Sequence, residues 1–204
     1  MDYNEFDKSL IRAAFKMAAT DGWSQMRVAE AARRGGLALN QARARFPTRG
    51  SVLSCFGRNA DAAALAKLSE GSRRDRLFDL LMRRIDSLQE HRAGVLALFN
   101  GLPAEPGTAL MLGCASLASM RWMLEGAGVS SAGVRGALRA KGLLAVWLWT
   151  VRAWRGDESE DLSATMAALD QALNRAETAD SWLGEADSAP GPGAPPPRLA
   201  APPV

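Results

Sequence analysis

Apolar residues recur at intervals of three and four along most of this chain, and that spacing restricts the fold to helices. In the first such segment, 7–20, the apolar side chains would all lie on one helical face, namely Leu10, Ile11, Ala14, Phe15 and Ala18. The same pattern predicts further helices over 26–34, 39–45, 49–69, 74–89, 91–100, 108–124, 134–155 and 159–181. We therefore predict an all-α protein.

Turn-forming and proline-rich segments predict the domain limits. A hinge at Glu70-Gly71-Ser72 would separate an N-terminal module, 1–50 with a connecting helix 51–70, from a larger helical domain, 71–183. The last 21 residues, 184–204, hold seven of the ten prolines and few large aliphatic residues. Such a composition cannot bury a core, so we expect a disordered tail.

The composition excludes several classes of chemistry. The 204-residue chain has two cysteines and one histidine, whereas structural zinc needs about four such ligands and a catalytic triad needs a histidine beside a nucleophile. A glycine-rich phosphate loop is also missing. We predict a protein that is not an enzyme and needs no metal and no cofactor. Because every charge-free run is shorter than the roughly 20 residues of a membrane span, and the first residues do not form a signal peptide, we expect a cytoplasmic protein.

Positive charge is concentrated near the N-terminus. The segment 8–58 contains ten basic and two acidic residues, in a chain whose net charge is +3. A compact basic module is typical of phosphate-binding domains, although a solvated face without a partner is the alternative. Two short helices, 26–34 and 39–45, are separated by Gly35-Gly36 inside this segment, which makes them a helix-turn-helix candidate.

The same segment carries a family resemblance. Its order and spacing resemble the DNA-binding half of TetR-family repressors at Gly22-Trp23, Val28, Ala31-Ala32, Gly36-Leu37, Phe46-Pro47-Thr48-Arg49 and Val52-Leu53. The resemblance implies a TetR-like homodimer that regulates transcription. Its third helix, 39–45, would enter the major groove of double-stranded DNA, and its C-terminal domain would bind an effector.

Specific residues follow from this resemblance. Arg43, Arg45 and Arg49 would neutralise DNA phosphates, which gives affinity without sequence information. Asn40 and Gln41 would read bases, with a preference for adenine, unless they are ordinary exposed polar residues. The predicted DNA-binding set is Arg27, Leu39, Asn40, Gln41, Arg43, Arg45 and Arg49.

Large flexible and aromatic side chains are concentrated in the C-terminal half. The helix 108–124 is apolar nearly all round and is predicted to be central and buried. An apolar effector pocket is predicted from Leu81, Met82, Met111, Met120, Trp122, Met123 and Trp147, with simple core filling as the alternative. Arg121 is the one residue expected to meet a carboxylate or headgroup.

The last helix has an apolar seam that needs a partner surface, made by Leu162, Met166, Leu169, Leu173 and Ala176. The resemblance implies that the last two helices of each subunit form a four-helix bundle in a homodimer. Packing within one subunit is the alternative.

A second resemblance concerns the C-terminal half. It is similar to the TetR-fold lipid-binding accessory protein of ubiquinone biosynthesis. The matching residues are 73–79, 120–124 and above all Trp154, 157–161, Thr165, Leu169 and Ala176-Glu177. That resemblance implies binding of an isoprenoid or lipid, contact with a membrane surface, for which Trp182-Leu183 is a candidate, and no specific DNA binding. Ala38 and Arg43, where repressors usually have serine and tyrosine, agree with it. The charge of 8–58 places the regulator first.

Overall fold

A computed structural model describes the backbone of residues 3–188 and the side chains of residues 5–178. This part of the chain forms nine α-helices and no strand, as the apolar periodicity predicts. The helices are α1 (Tyr3–Asp21), α2 (Val28–Arg34), α3 (Leu39–Arg45), α4 (Arg49–Leu65), α5 (Arg73–Gln89), α6 (Arg92–Gly101), α7 (Pro106–Gly126), α8 (Gly133–Gly156) and α9 (Ser163–Ser188). Single 3₁₀ turns occur at Trp23–Gln25 and Leu102–Ala104.

Local capping fixes the starts of α4 and α5. The Thr48 hydroxyl accepts from the Ser51 N–H at 3.1 Å, and the Ser51 hydroxyl accepts from the Thr48 N–H at 3.2 Å. Ser72 and Asp75 make the equivalent pair of bonds at the start of α5. Both are capping boxes, which satisfy backbone donors that a helix leaves unpaired.

The last helix differs from its predicted limits. It begins at Ser163 rather than at residue 159, and residues 184–188, predicted as part of the tail, continue it. The rest of the predicted tail, 189–204, and the side chains of Trp182 and Leu183 lie outside the described residues.

One buried carboxylate explains why α9 starts late. Asp157 Oδ2 accepts from the Thr165 N–H at 2.8 Å and from the Thr165 hydroxyl at 2.7 Å, while Oδ1 accepts from Ser159. Side-chain hydrogen bonds from Ser159 and Thr165 hold the pKa of Asp157 well below its usual range. The segment between α8 and α9 is therefore folded around the Asp157 carboxylate.

We predict that Asp157→Ala lowers the free energy of unfolding at pH 7 by about 2 kcal/mol, the upper range for loss of a capping side chain. Because the pKa of Asp157 is lower in the folded chain than its ordinary value of 3.8, its contribution is complete above that value. It is lost as the pH falls through the folded pKa. Urea unfolding of both proteins at pH 7 and near pH 2 checks this, and a stability difference that does not narrow in acid contradicts it.

The two halves of the chain share one hydrophobic core, and α1 packs on α6 at their junction. Phe15 of α1 stacks on the His91 ring with centroids 5.3 Å apart, and meets Phe56 of α4 edge-on at 4.7 Å. Burial lowers the pKa of His91. At Gly94 the two helices approach so closely that an added Cβ would lie 2.3 Å from the Phe15 carbonyl oxygen. This junction positions the N-terminal module on the C-terminal domain.

Helix α7 is less buried than predicted. Its buried residues, Ser119, Met120, Met123 and Leu124, all lie near its C-terminal end. Leu110 and Trp122 are 71% and 64% exposed. The prediction of a central buried helix is wrong for the subunit because its packed neighbours, chiefly α4, α8 and α5, cover only part of its apolar surface.

Across the described residues, no single helix is long and apolar enough to cross a bilayer. One bent pair of helical segments, Arg92–Ala104 and Pro106–Gly126, has the length and composition of a membrane span only when the two are taken together.

Candidate nucleic-acid interface

Helices α2 and α3 form a two-helix unit joined by a tight turn. Gly36 has φ of 65°, a left-handed conformation that favours glycine, and the Leu37 N–H donates to the Ala32 carbonyl at 2.8 Å. Small residues pack the inner side of the unit, because Ala31, Ala32 and Ala42 are almost fully buried. Close packing of alanines turns the other side of α3 outward.

The outward side of α3 carries the predicted base-reading residues. Asn40, Gln41 and Arg43 are exposed, and Leu39 is 44% exposed. No hydrogen bond to another described residue occupies Asn40 or Gln41. Ala38 precedes the helix and supplies no side-chain cap, because its methyl group cannot accept a hydrogen bond. The amide groups of Asn40 and Gln41 are thus available to a molecule that approaches α3.

A groove of about 610 Å³ runs beside α3 and reaches the starts of α2 and α4. Arg27 and Arg43 both line it, together with Thr48 at the start of α4. Neither of these two arginines has an acidic partner within the described ranges. The groove is lined by Ser24, Met26, Arg27, Val28, Ala29, Leu39, Ala42, Arg43, Phe46, Pro47, Thr48 and Arg49.

Arg45 has an acidic partner within the subunit. Its Nε donates to Asp7 Oδ1 at 2.5 Å, and its Nη2 contacts Asp7 Oδ2. Asp7 is 8% exposed, so the bidentate pair fastens the end of α3 to α1. Spacing could not reveal this partner, because Asp7 lies 38 residues earlier in the chain.

Arg49 is also engaged inside the protein. Its Nη1 lies 3.1 Å from the carbonyl oxygens of Trp23 and Ser24 and 3.1 Å from Glu105 Oε1. Glu105 immediately precedes α7, so Arg49 links the start of α4 to the C-terminal domain. Arg45 and Arg49 therefore have partners within the subunit, and their predicted contacts with DNA phosphates stay a prediction.

These pairs reduce the positive charge that a partner would meet. Arg33 and Arg34 pair with Glu30, and Arg34 also meets Asp21 at 2.8 Å. Of the ten basic residues in 8–58, those without an acidic partner in the described part of the chain are Lys8, Arg12, Lys16, Arg27, Arg43 and Arg58. Of the four arginines predicted to bind DNA, Arg27 and Arg43 have no acidic partner in the described part of the chain, whereas Arg45 and Arg49 have one.

We predict that Arg45→Ala lowers the free energy of unfolding by about 1–3 kcal/mol, because it leaves the buried Asp7 carboxylate unpaired while Arg45 itself is partly exposed. Arg43→Ala, at an exposed position without an acidic partner among the described residues, should stay within about 0.5 kcal/mol of the original protein. Urea unfolding followed by circular dichroism compares the two variants. Equal stabilities would contradict a structural role for Arg45 and an open position for Arg43.

In the C-terminal domain the predicted pocket residues separate into two groups. Leu81, Met120, Met123 and Trp147 are buried in one core, and Met82 and Met111 are partly buried against it. Trp122 is mostly exposed on α7, so it does not join this cluster. The helix turns by about 100° per residue, which places Trp122 outside while Met123 points inward.

A buried ion pair beside this cluster was missed by the sequence analysis. Arg84 on α5 contacts Asp61 on α4, and the Ser119 hydroxyl of α7 donates to the second Asp61 oxygen at 2.6 Å. The Arg84 guanidinium lies 5.0 Å from the centre of the Trp147 ring. The available sequence signal is Asp61 itself, a single acidic residue in an alanine-rich stretch of a helix with buried neighbours.

The apolar seam of α9 is covered within the subunit. Leu162, Leu169 and Leu173 are buried, and α9 packs mainly on α8. A different apolar row remains uncovered on α8 itself, made by Val134, Leu138, Leu148 and Trp149, each at least half exposed. Their spacing places them along one side of α8. This row on α8 is therefore an apolar surface that the described part of the subunit leaves exposed.

Comparisons with known proteins concern the fold. No protein-family model matches the sequence, and no curated protein matches it. A TetR transcriptional regulator from Nitrosomonas europaea superimposes with a TM-score of 0.69 at 20% identity, over 85% of this chain and 99% of that chain. A TetR-family regulator from Streptomyces coelicolor superimposes with a TM-score of 0.57 at 20% identity, over 91% of this chain and 87% of that chain. A third, from Rhodococcus sp. RHA1, superimposes with a TM-score of 0.58 at 16% identity, over 86% of this chain and 97% of that chain.

At these identities the likeness establishes the fold alone. The chain has the TetR-like all-α fold that the sequence analysis predicted, and it covers nearly the whole length of these solved structures. The resemblance to the ubiquinone accessory protein is not tested by these comparisons.

Proposed function

We propose that the protein is a homodimeric transcription regulator that binds double-stranded DNA through α3. One observation carries the proposal: Asn40, Gln41 and Arg43 stand exposed on the outward side of α3, beside a groove lined by Arg27 and Arg43, which have no acidic partner in the described part of the chain. The solved structures with this fold are named as TetR-family transcriptional regulators, which supports the same function.

In this proposal the contacts with DNA divide by chemistry. Arg27 and Arg43 neutralise phosphates on the two sides of the groove, which sets register and supplies affinity. Asn40 and Gln41 reach base edges in the major groove, where their amides match the N6 and N7 atoms of adenine. Leu39 supplies apolar contact, which suits a thymine methyl group. Arg45 and Arg49 act indirectly, by holding α3 and α4 in place.

Dimerisation belongs to the proposal because one such unit covers only half of a typical operator. The apolar row of α8, which contains Leu138 and Leu148, would pack against its copy across a twofold axis. The two α3 helices would then meet half-sites about one helical turn, roughly 34 Å, apart. An effector bound in the C-terminal domain would change this spacing, so that the protein acts as a repressor released by its ligand.

The test is fluorescence anisotropy with the full chain on the duplex upstream of its own gene and on a scrambled duplex, from about 50 to 200 mM salt. We expect the upstream duplex to bind at least about 10³-fold more tightly than the scrambled one. Arg43→Ala should weaken the affinity for both duplexes by about tenfold, because it removes a phosphate contact and no base contact. It should also reduce the slope of log affinity against log salt concentration by about one.

The matched control is Arg121→Ala, which removes an exposed arginine of α7 far along the chain from the groove. It changes the net charge by the same amount and should leave both affinities nearly unchanged. Equal, weak binding to the two duplexes would contradict the regulator.

The lipid-binding alternative gains no specific support. Trp154 and Asp157, which belong to the segment resembling the ubiquinone accessory protein, bond within the subunit: the indole N–H of Trp154 donates to Gln89 at 2.8 Å, and Asp157 organises the start of α9. Such contacts explain these residues through folding alone. Anionic vesicles that bind the protein more tightly than any duplex does would favour the alternative.

A further inference from the structure

The C-terminal domain contains a charged cluster to which each of four helices contributes one side chain. Asp61 comes from α4, Arg84 from α5, Ser119 from α7 and Trp147 from α8. One oxygen of the Asp61 carboxylate forms an ion pair with Arg84, and the other accepts a hydrogen bond from the Ser119 hydroxyl. The indole of Trp147 lies against the guanidinium, in a cation–π arrangement.

The Arg84 guanidinium has fewer partners than its burial demands. Its side chain is 8% exposed, and its Nε has no hydrogen-bond acceptor among residues 5–178. Burial lowers the pKa of Arg84 to about 10, so the group stays protonated at neutral pH. A buried cation with five N–H donors and one carboxylate partner leaves donor capacity for a further anion.

The acidic partner is the more accessible of the two. The Asp61 side chain is 17% exposed, against 8% for Arg84, so a molecule entering from that side meets the carboxylate first and the guanidinium behind it. Buried apolar side chains of the same core, Leu81, Met120, Met123 and Trp147, would receive the apolar part of such a molecule.

Asp61 also lies on α4, the helix whose start lines the groove beside α3. Helix α4 starts at Arg49, which bonds Glu105, and its Gly50 lies against Met111, whose sulfur would be 3.1 Å from an added Cβ. Toward its other end, α4 is held to α5 by the Asp61–Arg84 pair and by Arg83, which donates to the Ala64 carbonyl at 3.3 Å and contacts the Lys67 carbonyl. Loss of the Asp61–Arg84 pair would remove one of these contacts and allow α4 to shift against α5 while its start remains beside α3.

We propose that Arg84 is the anchor for the anionic group of the effector, and that the effector is a carboxylic acid with an apolar body. The carboxylate displaces Asp61 from the guanidinium, and the resulting shift of α4 changes the position of α3. This inference rests on the proposed function for its regulatory step, whereas carboxylate binding at Arg84 stands independently. It differs from the apolar ligand expected from the sequence in placing an anionic group at Arg84 rather than at Arg121.

The test compares acids with uncharged alcohols of the same shape: decanoic acid with 1-decanol, and 1-naphthoic acid with 1-naphthalenemethanol. Isothermal titration calorimetry uses the full chain at pH 7.5. At least one acid should bind about tenfold or more tightly than its alcohol. Arg84→Met should abolish that preference, and Asp61→Asn should strengthen acid binding several-fold, because it removes the charge that competes for Arg84.

Arg84→Met leaves Asp61 buried without its cation and risks unfolding, so the double variant Asp61→Asn/Arg84→Met serves as the folded control. It should keep the circular dichroism spectrum and lose the acid preference. Acids that bind no better than alcohols in the original protein, or a preference that persists without Arg84, would overturn the inference.

Measurement of DNA binding in the same preparations separates the two proposals. If the acid binds through Arg84 but no duplex is preferred, the regulatory step and the proposed function fail while the anion site stands. If the upstream duplex is preferred but no acid is, the anion site fails alone. If both bind, the acid should reduce affinity for the upstream duplex in the original protein and leave the double variant unaffected.

Discussion

A Leu148→Glu variant is expected to be monomeric and to lose about 10²–10⁴-fold in affinity for the upstream duplex. Leu148 is 57% exposed on α8, in the apolar row with Leu138 and Trp149. At a twofold interface the substitution would bring two carboxylates into one desolvated surface, which is strongly unfavourable. The loss in affinity follows because two linked modules bind DNA far more tightly than one.

Light scattering after size exclusion measures the oligomeric state, and anisotropy on the upstream duplex measures affinity. The control is Leu110→Glu, which introduces the same charge at a residue that is 71% exposed on α7. It should remain dimeric with unchanged affinity. Because Leu148 is exposed in the subunit, the substitution should leave the helical content of the subunit unchanged. It should also change the free energy of unfolding of the isolated subunit very little.

Two outcomes would contradict the α8 interface. The original protein could elute as a monomer, which would remove the premise of the proposed dimer. Alternatively, Leu110→Glu could produce monomers while Leu148→Glu does not, which would move the interface to α7.

A Gly94→Ala variant is expected to be destabilised by about 3 kcal/mol, with a fall in Tm of about 6–12 °C. The added Cβ would lie 2.3 Å from the Phe15 carbonyl oxygen and 2.8 Å from its carbonyl carbon. A backbone carbonyl inside α1 cannot rotate away as a side chain does, so α6 must move from α1. That movement would open the junction where Phe15 stacks on His91.

Gly113→Ala is the matched control for Gly94→Ala. Gly113 lies inside α7, and an added Cβ would meet no atom within 4 Å. Alanine is the better helix former, so this variant should be more stable by up to about 1 kcal/mol. Thermal unfolding of both variants gives the comparison, and a Gly94→Ala protein as stable as Gly113→Ala would show that α1 and α6 do not pack as described.

Much of the fold was predictable because its causes are local. The limits of α3 follow from the glycine turn before it and from Phe46-Pro47 after it, and the start of α4 follows from Thr48. The start of α9 was not predictable in this way, because Ser159 looks like a cap in the sequence. In the structure the Ser159 hydroxyl accepts from the Ser163 N–H at 3.2 Å and also donates to the Asp157 carboxylate, whose other donors come from Thr165, so that α9 begins four residues later.

The candidate site was predicted only in part. Exposure of Asn40, Gln41 and Arg43 follows from helical geometry once Ala42 is assigned to the inner side. The spacing of basic residues could not distinguish Arg43 from Arg45, which lie two residues apart on the same short helix. Only the position of α1, which brings Asp7 beside Arg45, separates a cation open to a partner from one that holds the fold together.

By itself, the sequence determined that this protein is all-helical, where most of its helices lie, and that a basic helix-turn-helix unit lies near its N-terminus. These properties depend on neighbours within about one helical turn. The tertiary structure decided which arginines of the described residues stay unpaired, that Arg84 is buried against Asp61, and that Trp122 lies outside the core. Each of these depends on residues from helices far apart in the chain, whose approach is set by packing rather than by local spacing.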